Sequence, residues 1–263
     1  MRARCKDLDV AWFEGGRGDP LILVHGLGDD HRAWRKTLPD LMLRRRVLLY
    51  DLRGHGETSV GAADGTLSQL GGDLVALMDA VGIGHADVAG FSLGGTIAMR
   101  VAIDHPARVR GLVLVGTSSR VGRVAADWYR ERAAMVERGD SRLRDTLEKD
   151  TADVYAQAPD ELEAGLLIRR QSTADPRGYG NACTAMAGLN GAPLDPELGR
   201  IHAPALIVAS DLDRHCPPKA SEIIAAGIEG SQMQVITGAG HPIPVEKPCE
   251  LARMMNKFLA QVG

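Results

Sequence analysis

The sequence predicts an α/β fold with a mostly parallel central sheet, flanking helices and an inserted helical cap. Three observations support this prediction. Short apolar runs alternate with longer amphipathic segments, the alternation stops over one stretch near the middle of the chain, and a Gly-x-Ser-x-Gly pentapeptide lies where an apolar run meets a helical segment. The length of 263 residues suits one compact domain with such an insertion.

Six short apolar runs are predicted to be strands, because strands that are buried on both faces of a parallel sheet are apolar throughout. They are residues 21–24, 47–50, 87–89, 112–115, 206–209 and 233–237. Five other segments have the apolar spacing and the boundary residues of helices. They are residues 31–43, 66–81, 94–105, 217–228 and 246–261.

The inserted cap is predicted in residues 120–195. Aliphatic runs disappear there, and arginine, acidic residues and alanine dominate a helical composition. The remaining residues, 1–119 and 196–263, are expected to form the core. We expect the cap to select the substrate. Three of its segments can each form a helix: residues 125–139, 142–155 and 161–171.

The composition argues against several classes of protein. A formal net charge of -3, with no basic run interleaved with aromatic residues, provides no field that would hold nucleic acid. No apolar run reaches the length of about 18 residues that a membrane span needs, and no apolar leader segment follows the first charges. We therefore expect a cytoplasmic protein with neither nucleic acid nor membrane as a partner. A homo-oligomer is left open.

No metal site is predicted. The four cysteines, Cys5, Cys183, Cys216 and Cys249, are far apart and form no Cys-x-x-Cys pair, so reduced structural thiols are expected. The histidines share no spacing that a metal ion would require.

The pentapeptide Gly90-Phe91-Ser92-Leu93-Gly94 is the strongest local signal of catalysis. A strand that turns directly into a helix forces the serine backbone into a strained conformation, and glycines on both sides admit the close approach. The hydroxyl of Ser92 would then project above the sheet as a nucleophile. The Leu93 amide would lie at a helix N-terminus, where it can stabilise an oxyanion. The alternative is a glycine-rich turn with an incidental serine.

A second glycine-rich loop, His25-Gly26-Leu27-Gly28, directly follows the first predicted strand of the parallel sheet. Its glycines allow it to approach the nucleophile, and the Leu27 amide is predicted to be the second donor of the oxyanion hole. His25 is expected to be structural, because a better candidate for the general base follows later in the chain.

That base is predicted to be His241, in a Gly-Ala-Gly-His-Pro loop after the last strand. The loop after the preceding strand holds Asp213, the predicted acid, and Asp211, the reserve, which falls closer to the strand end. His241 alone could be a surface histidine, and Asp213 alone could cap the following helix. Together with Ser92 they predict a catalytic triad.

These residues resemble the α/β-hydrolase superfamily, in which the triad follows the chain order Ser, Asp, His. The resemblance runs from about residue 21 to the C-terminus and is interrupted by the cap. Within the superfamily the chain looks most like the 3-oxoadipate enol-lactonase group and its carboxylesterase relatives, although Gly26 stands where many of them have Pro and Leu93 where they usually have Met. The segments that carry the resemblance are residues 25–28, 51–58, 90–95, 175–183, 240–241 and 246–248.

The residues and the resemblance together predict a serine hydrolase that needs no cofactor and cleaves a small-molecule carboxylic ester or lactone through an acyl-enzyme. The same triad would also serve a hydrolase of carbon–carbon bonds, of homoserine lactones or of amides. A non-catalytic ligand receptor on the same scaffold is the alternative of another class. A pure receptor has no physical need for an intact set of Ser92, Asp213 and His241.

Two aromatic residues in the cap, Trp128 and Tyr129, are candidates for lining an acyl pocket. Trp128 is the predicted substrate contact, although packing within the cap is the more frequent role of an aromatic residue on a helix. The arginines of the cap, among them Arg130, Arg132 and Arg169, are expected to solvate its helices. Binding of an acidic substrate is their alternative role.

Overall fold

An eight-stranded sheet forms the centre of the molecule in the computed structural model, which describes residues 1–262. The strands are β1 (Arg2–Cys5), β2 (Leu8–Gly16), β3 (Pro20–Val24), β4 (Arg46–Tyr50), β5 (Ala86–Phe91), β6 (Val109–Val115), β7 (Ala205–Ser210) and β8 (Gln232–Ile236). Their order across the sheet is β1-β2-β4-β3-β5-β6-β7-β8. The pairs β1–β2 and β2–β4 are antiparallel and the other pairs are parallel, which confirms the predicted fold class.

Ten α-helices are found in the described part of the chain. They are α1 (Leu38–Met42), α2 (Leu67–Ala80), α3 (Leu93–Asp104), α4 (Arg123–Glu137), α5 (Leu143–Val154), α6 (Leu162–Ser172), α7 (Pro176–Gly188), α8 (Pro218–Gly227), α9 (Ile243–Glu246) and α10 (Pro248–Leu259). Short 3-10 helices cover His31–Trp34, Pro106–Arg108, Pro159–Glu161 and Asp195–Arg200. None of the helices within residues 1–262 has the length and apolar character needed to cross a bilayer.

Both faces of the central strands of the parallel sheet are buried, as their apolar sequences predict. Successive side chains of β3 enter different clusters: Ile22 and Val24 pack into the cluster with α2 and α3, and Leu21 and Leu23 pack into the cluster with α1 and α10. The sheet is therefore the middle layer of three, and the loops at the carboxyl ends of its parallel strands open to one edge.

Four helices, α4 to α7, lie between β6 and β7 in the chain, where the regular alternation stops. Helix α4 packs against α7, and α5 packs against α6. The sequence indicates three of these helices and misses α7. Pro176 begins α7, and the side chain of Asp175 accepts a hydrogen bond from the Arg177 amide as the N-cap of this helix.

Two predicted helices are each interrupted. Residues 31–43 divide into a 3-10 turn and α1, with Pro39 in the first turn of α1. Residues 246–261 divide at Lys247, which adopts φ -130° and ψ 52° before Pro248 begins α10. Proline lacks the amide hydrogen of a helix interior and restrains the residue before it, so both breaks fall where the proline places them.

Candidate active site

Ser92 lies at the turn between β5 and α3, with φ 54° and ψ -121°. It is one of two non-glycine residues with positive φ in the described chain. A Cβ atom on Gly90 would lie 2.2 Å from the carbonyl oxygen of Gly94, and one on Gly94 would lie 2.3 Å from the carbonyl oxygen of Val24. The strained turn is therefore possible only because both flanking positions are glycine.

The three side chains predicted to act together do lie together. His241 Nε2 is 3.0 Å from Ser92 Oγ, and His241 Nδ1 is 2.7 Å from Asp213 Oδ2. His241 and Asp213 are both buried. Since a carboxylate can only accept from Nδ1–H, the free lone pair of the imidazole points at the serine hydroxyl. This arrangement can remove a proton from Ser92.

The other oxygen of Asp213 is held by the backbone. Asp213 Oδ1 accepts hydrogen bonds from the amides of His215 and Cys216, each at 2.8 Å. Burial pushes the pKa of Asp213 upward, but His241 and the two amides outweigh it, so the pKa lies below its usual value. The reserve acid Asp211 is exposed, and its Oδ1 accepts from the Gly238 amide at 2.7 Å.

Two backbone amides are free at the positions predicted for an oxyanion hole. The N–H groups of Leu27 and Leu93 donate no hydrogen bond to any group of the described residues. Leu93 begins α3, so its amide lies at the positive end of that helix. Two such donors beside a serine hydroxyl can stabilise a tetrahedral oxyanion.

His25 holds its loop in place. Its Nε2 accepts from the Leu52 amide at 2.9 Å, and its Nδ1–H donates to the Gly26 carbonyl at 2.8 Å. These bonds fix a neutral tautomer and join the loops that follow β3 and β4. The structural role expected for His25 agrees with these contacts.

A cavity of about 670 Å³ opens above Ser92 and His241. Helices α4 and α5 contribute part of its wall, including Trp128 and Tyr129. The two aromatic rings meet edge to face with centroids 5.0 Å apart, and the guanidinium of Arg132 lies 4.6 Å from the centre of the Trp128 ring. Trp128 thus both lines the cavity and packs within the insertion.

A match to a known family covers most of the chain. Residues 19–248 match the family described as the alpha/beta hydrolase fold. The chain belongs to this α/β-hydrolase family.

This α/β-hydrolase is similar to three proteins that are described as hydrolases or enol-lactonases. Its sequence is 28% identical over 244 residues to 3-oxoadipate enol-lactonase 1 of Acinetobacter baylyi, covering 92% of this chain and 89% of the relative. Its structure resembles an enol-lactonase from Burkholderia xenovorans, with a TM-score of 0.89, 25% identity and coverage of 99% and 100%. A hydrolase from Pseudomonas aeruginosa gives a TM-score of 0.88 at 28% identity, with coverage of 98% and 96%. Hydrolytic activity is the property that these likenesses support.

The Asp-x-Arg-Gly segment of this α/β-hydrolase, residues 51–54, is held by hydrogen bonds and ion pairs within the protein. Asp51 accepts hydrogen bonds from the His31 and Glu57 amides at 2.9 and 3.0 Å. Arg53 is buried and forms a two-bonded ion pair with Asp73, with both N–O distances 2.8 Å. The side chains of Asp51 and Arg53 therefore stabilise the conformation of this loop, and neither residue lines the cavity.

One cluster of this α/β-hydrolase combines carboxylates and a histidine away from Ser92. Asp30, His31 and Asp51 bring their side-chain atoms within 4.8 Å of one another. However, both oxygens of Asp30 are occupied by the guanidinium of Arg32, and His31 Nδ1 donates to Asp51 at 2.8 Å. Hydrogen bonding within the protein accounts for the cluster.

Arg169 of α6 does not solvate its helix, which corrects the expectation for this residue. It is 9% exposed, and it donates to the Leu27 carbonyl at 2.7 Å and to Thr151 Oγ1 at 3.1 Å. Ser172, one turn further along α6, donates to the Gly28 carbonyl. Helix α6 of the insertion is therefore hydrogen-bonded to the loop that carries the Leu27 amide. These residues are far apart in the sequence and come together only in the folded chain, so no local sequence signal identifies their contacts.

Two further polar residues near the candidate active site of this α/β-hydrolase are not among those predicted from the sequence. Asp29 directly follows the glycine-rich loop and lines the cavity with Ser92. His215 follows Asp213, and its ring centroid is 5.1 Å from that of His241. Burial lowers the pKa of His215, and the neighbouring His241 lowers it further. The positions of both residues next to predicted site loops are a signal that could have singled them out.

Proposed function

We propose that this protein is a serine hydrolase that cleaves a carboxylic ester or lactone through an acyl-enzyme. The observation that carries the proposal is the continuous hydrogen-bonded series from Ser92 through His241 to Asp213. The free amides of Leu27 and Leu93 and the cavity above them support the same reading. No cofactor takes part in the proposed reaction.

In the first half-reaction His241 Nε2 accepts the proton of Ser92 as Oγ attacks the carbonyl carbon. The carbonyl oxygen becomes an oxyanion between the amides of Leu27 and Leu93. Asp213 keeps the proton on Nδ1 and stabilises the imidazolium. As the tetrahedral intermediate collapses, His241 returns its proton to the leaving oxygen, which stays attached to the acyl chain when the substrate is a lactone.

In the second half-reaction water attacks the acyl-enzyme. His241 removes a proton from the water, the same two amides hold the second oxyanion, and Ser92 regains its proton as the carboxylic acid leaves. Water and the acyl-enzyme supply all atoms of the products. The chemistry is therefore complete with the residues of this chain.

The substrate class that we favour is a small lactone of the enol-lactone kind. The likeness to enol-lactonases from two organisms supports it. We assign residues 120–195 as the cap that covers the substrate, and Trp128 as a contact within it, because Trp128 lines the cavity together with Ser92.

The test is a steady-state assay of the wild type and Ser92→Ala on short p-nitrophenyl esters and on lactones, including an enol-lactone that carries a carboxylate. We expect clear activity that falls at least about 1,000-fold in Ser92→Ala, with a preference for the lactone. Ser68→Ala, which alters an exposed serine of α2, is the matched control.

Other outcomes would point to different functions. Full activity in Ser92→Ala contradicts the proposal. An inert wild type on every ester and lactone would favour a carbon–carbon bond hydrolase or a ligand receptor on the same scaffold. Turnover of homoserine lactones or amides alone would retain the triad and change the substrate class.

A further inference from the structure

Asp29 brings a carboxyl group to the reaction chamber. It follows the loop that carries the Leu27 amide, and it lines the same cavity as Ser92. Its Oδ2 lies 3.2 Å from the point where a Cβ on Gly26 would be, and two carbons of the Phe91 ring lie at the same distance from that point. The carboxyl and the Phe91 ring thus both lie beside Gly26.

The distance between Asp29 and the reacting carbonyl is limited by the chain. Asp29 lies two positions after Leu27, and two residue steps of fully extended chain span at most about 7 Å between Cα atoms. When the Leu27 amide holds the carbonyl oxygen of a substrate, a substituent on the first few carbons next to that carbonyl can therefore reach the Asp29 carboxyl.

The carboxyl of Asp29 has no partner among the described residues. No hydrogen bond or ion pair to its oxygens is formed, whereas the adjacent Asp30 is bound through both oxygens by Arg32. The buried guanidinium of Arg169 donates to Leu27 and Thr151 instead. Polar groups that are enclosed in a protein are normally hydrogen-bonded, so a free one that faces a substrate cavity is suited to bind substrate.

The groups around Asp29 act on the pKa of its carboxyl in opposite directions. Burial raises the pKa of Asp29, and Asp30 acts in the same direction. Arg169, His25 and His241 act in the opposite direction. A hydroxyl group can donate to the ionised form and can also accept from the protonated form, so it is the substituent that matches both states.

We propose that Asp29 selects substrates that carry a hydroxyl group close to the scissile carbonyl. This inference rests on the proposed ester or lactone hydrolysis and names a feature of its substrate. Asp29 binds the hydroxyl while the Leu27 and Leu93 amides hold the oxyanion, and hydrocarbon at the same place would leave the carboxyl unpaired. Unpaired polar groups in a closed site are a strong source of discrimination.

The experiment compares kcat/KM for p-nitrophenyl butyrate with that for its 2-hydroxy and 3-hydroxy derivatives. The quantity measured is the ratio of hydroxylated to plain ester, since comparing this ratio between variants cancels the intrinsic reactivity of each ester. We expect Asp29→Ala to lower the ratio about tenfold for at least one derivative. Asp29→Asn, which keeps the shape and one acceptor, should lower it less.

Asp153→Asn is the matched control, because Asp153 also lines the cavity but is an exposed residue. It should leave the ratio within twofold of the wild type. A ratio that stays within twofold in both Asp29 variants, with melting temperatures that show folded protein, overturns the inference. Hydrolysis of the plain ester that does not depend on Ser92 would instead be a failure of the proposed function.

Discussion

Asp213 presents one oxygen to His241 and the other to two backbone amides. The amides of His215 and Cys216 require an acceptor at Oδ1. In Asp213→Asn the carboxamide oxygen would take that place, and its NH2 group would face His241 Nδ1. The imidazole would then carry its proton on Nε2, where it cannot accept from Ser92. We expect kcat to fall about 1,000-fold to 10,000-fold, as measured in a steady-state ester assay.

Asp211→Asn is the control for this change, because Asp211 lies on the same loop, is exposed and binds only the Gly238 amide. It should keep kcat within about threefold of the wild type, since a carboxamide oxygen can accept the same hydrogen bond. A large loss in Asp211→Asn with little loss in Asp213→Asn would reverse the assignment of the acid.

Replacement of Arg169 should weaken catalysis although Arg169 lies on the insertion. Arg169→Met removes the donor that holds the Leu27 carbonyl, so the amide of the same residue is less well placed in the oxyanion hole. We expect kcat to fall about 10-fold to 100-fold with a smaller change in KM, measured on one ester. Arg169→Lys should recover part of the loss.

The neighbouring Arg170 provides the comparison. It pairs with Glu148 on the surface, and exposed ion pairs of this kind contribute little to stability. Arg170→Met should therefore keep the wild-type kcat. Equal losses in the two methionine variants would show that α6 as a whole, rather than the bond to Leu27, is responsible.

The close packing around the nucleophile makes Gly94 intolerant of any side chain. A Cβ there would lie 2.3 Å from the carbonyl oxygen of Val24, within the rigid sheet. Gly94→Ala should lower the free energy of unfolding by about 3 kcal/mol in a urea titration. Gly84→Ala, where nothing lies within 4 Å of the new Cβ, should change it by less than about 1 kcal/mol. Similar values for both would argue against the strained turn.

Stability should depend on pH through His55. This residue is buried, its Nδ1–H donates to the Arg53 carbonyl at 3.0 Å, and burial lowers its pKa to about 3. The unfolded chain binds the proton at a pKa of about 6.5, so acid favours unfolding. Each pH unit between about 6.5 and about 3 should cost about 1.4 kcal/mol of unfolding free energy from this group.

The measurement is a set of urea titrations at pH 7 and pH 5 for the wild type and His55→Asn. We expect the wild type to lose about 2 kcal/mol more than the variant over this interval, because the variant lacks the titrating group. The comparison of losses removes the effects of every other titrating residue. An equal loss in both proteins would mean that the pKa of His55 is the same in the folded and the unfolded state.

The positions of Ser92 and Asp213 could be predicted because each follows a strongly apolar strand, and that of His241 because it follows the last strand of the alternation. Loops after parallel strands meet at one edge of the sheet, so their proximity follows from the alternation of elements alone. The antiparallel strands β1 and β2 could not be found in this way. Strand β2 alternates between buried and partly exposed residues and contains two glycines at its end, which weakens its apolar signal.

The contacts between the insertion and the core were beyond sequence reasoning for a different reason. Arg169 and Leu27 are 142 positions apart, and the charge of an arginine in a polar helix indicates exposure unless its partner is known. Asp29 is ambiguous in the same way, because a carboxylate after a glycine-rich loop is usually solvated. Burial and the lack of a partner become visible only in the folded molecule.

The bond from Arg169 to Leu27 limits how new specificities can arise on this scaffold. Side chains of α4 and α5 that face the cavity can diverge freely, because they shape the chamber without holding the reaction centre. Arg169 cannot diverge in this way, since the loss of its hydrogen bond would loosen the loop that carries the Leu27 amide, whatever the substrate. A chimaera that receives its insertion from another family member would inherit that donor's substrate preference only if the transplanted helix also brings a hydrogen-bond donor to the carbonyl of Leu27.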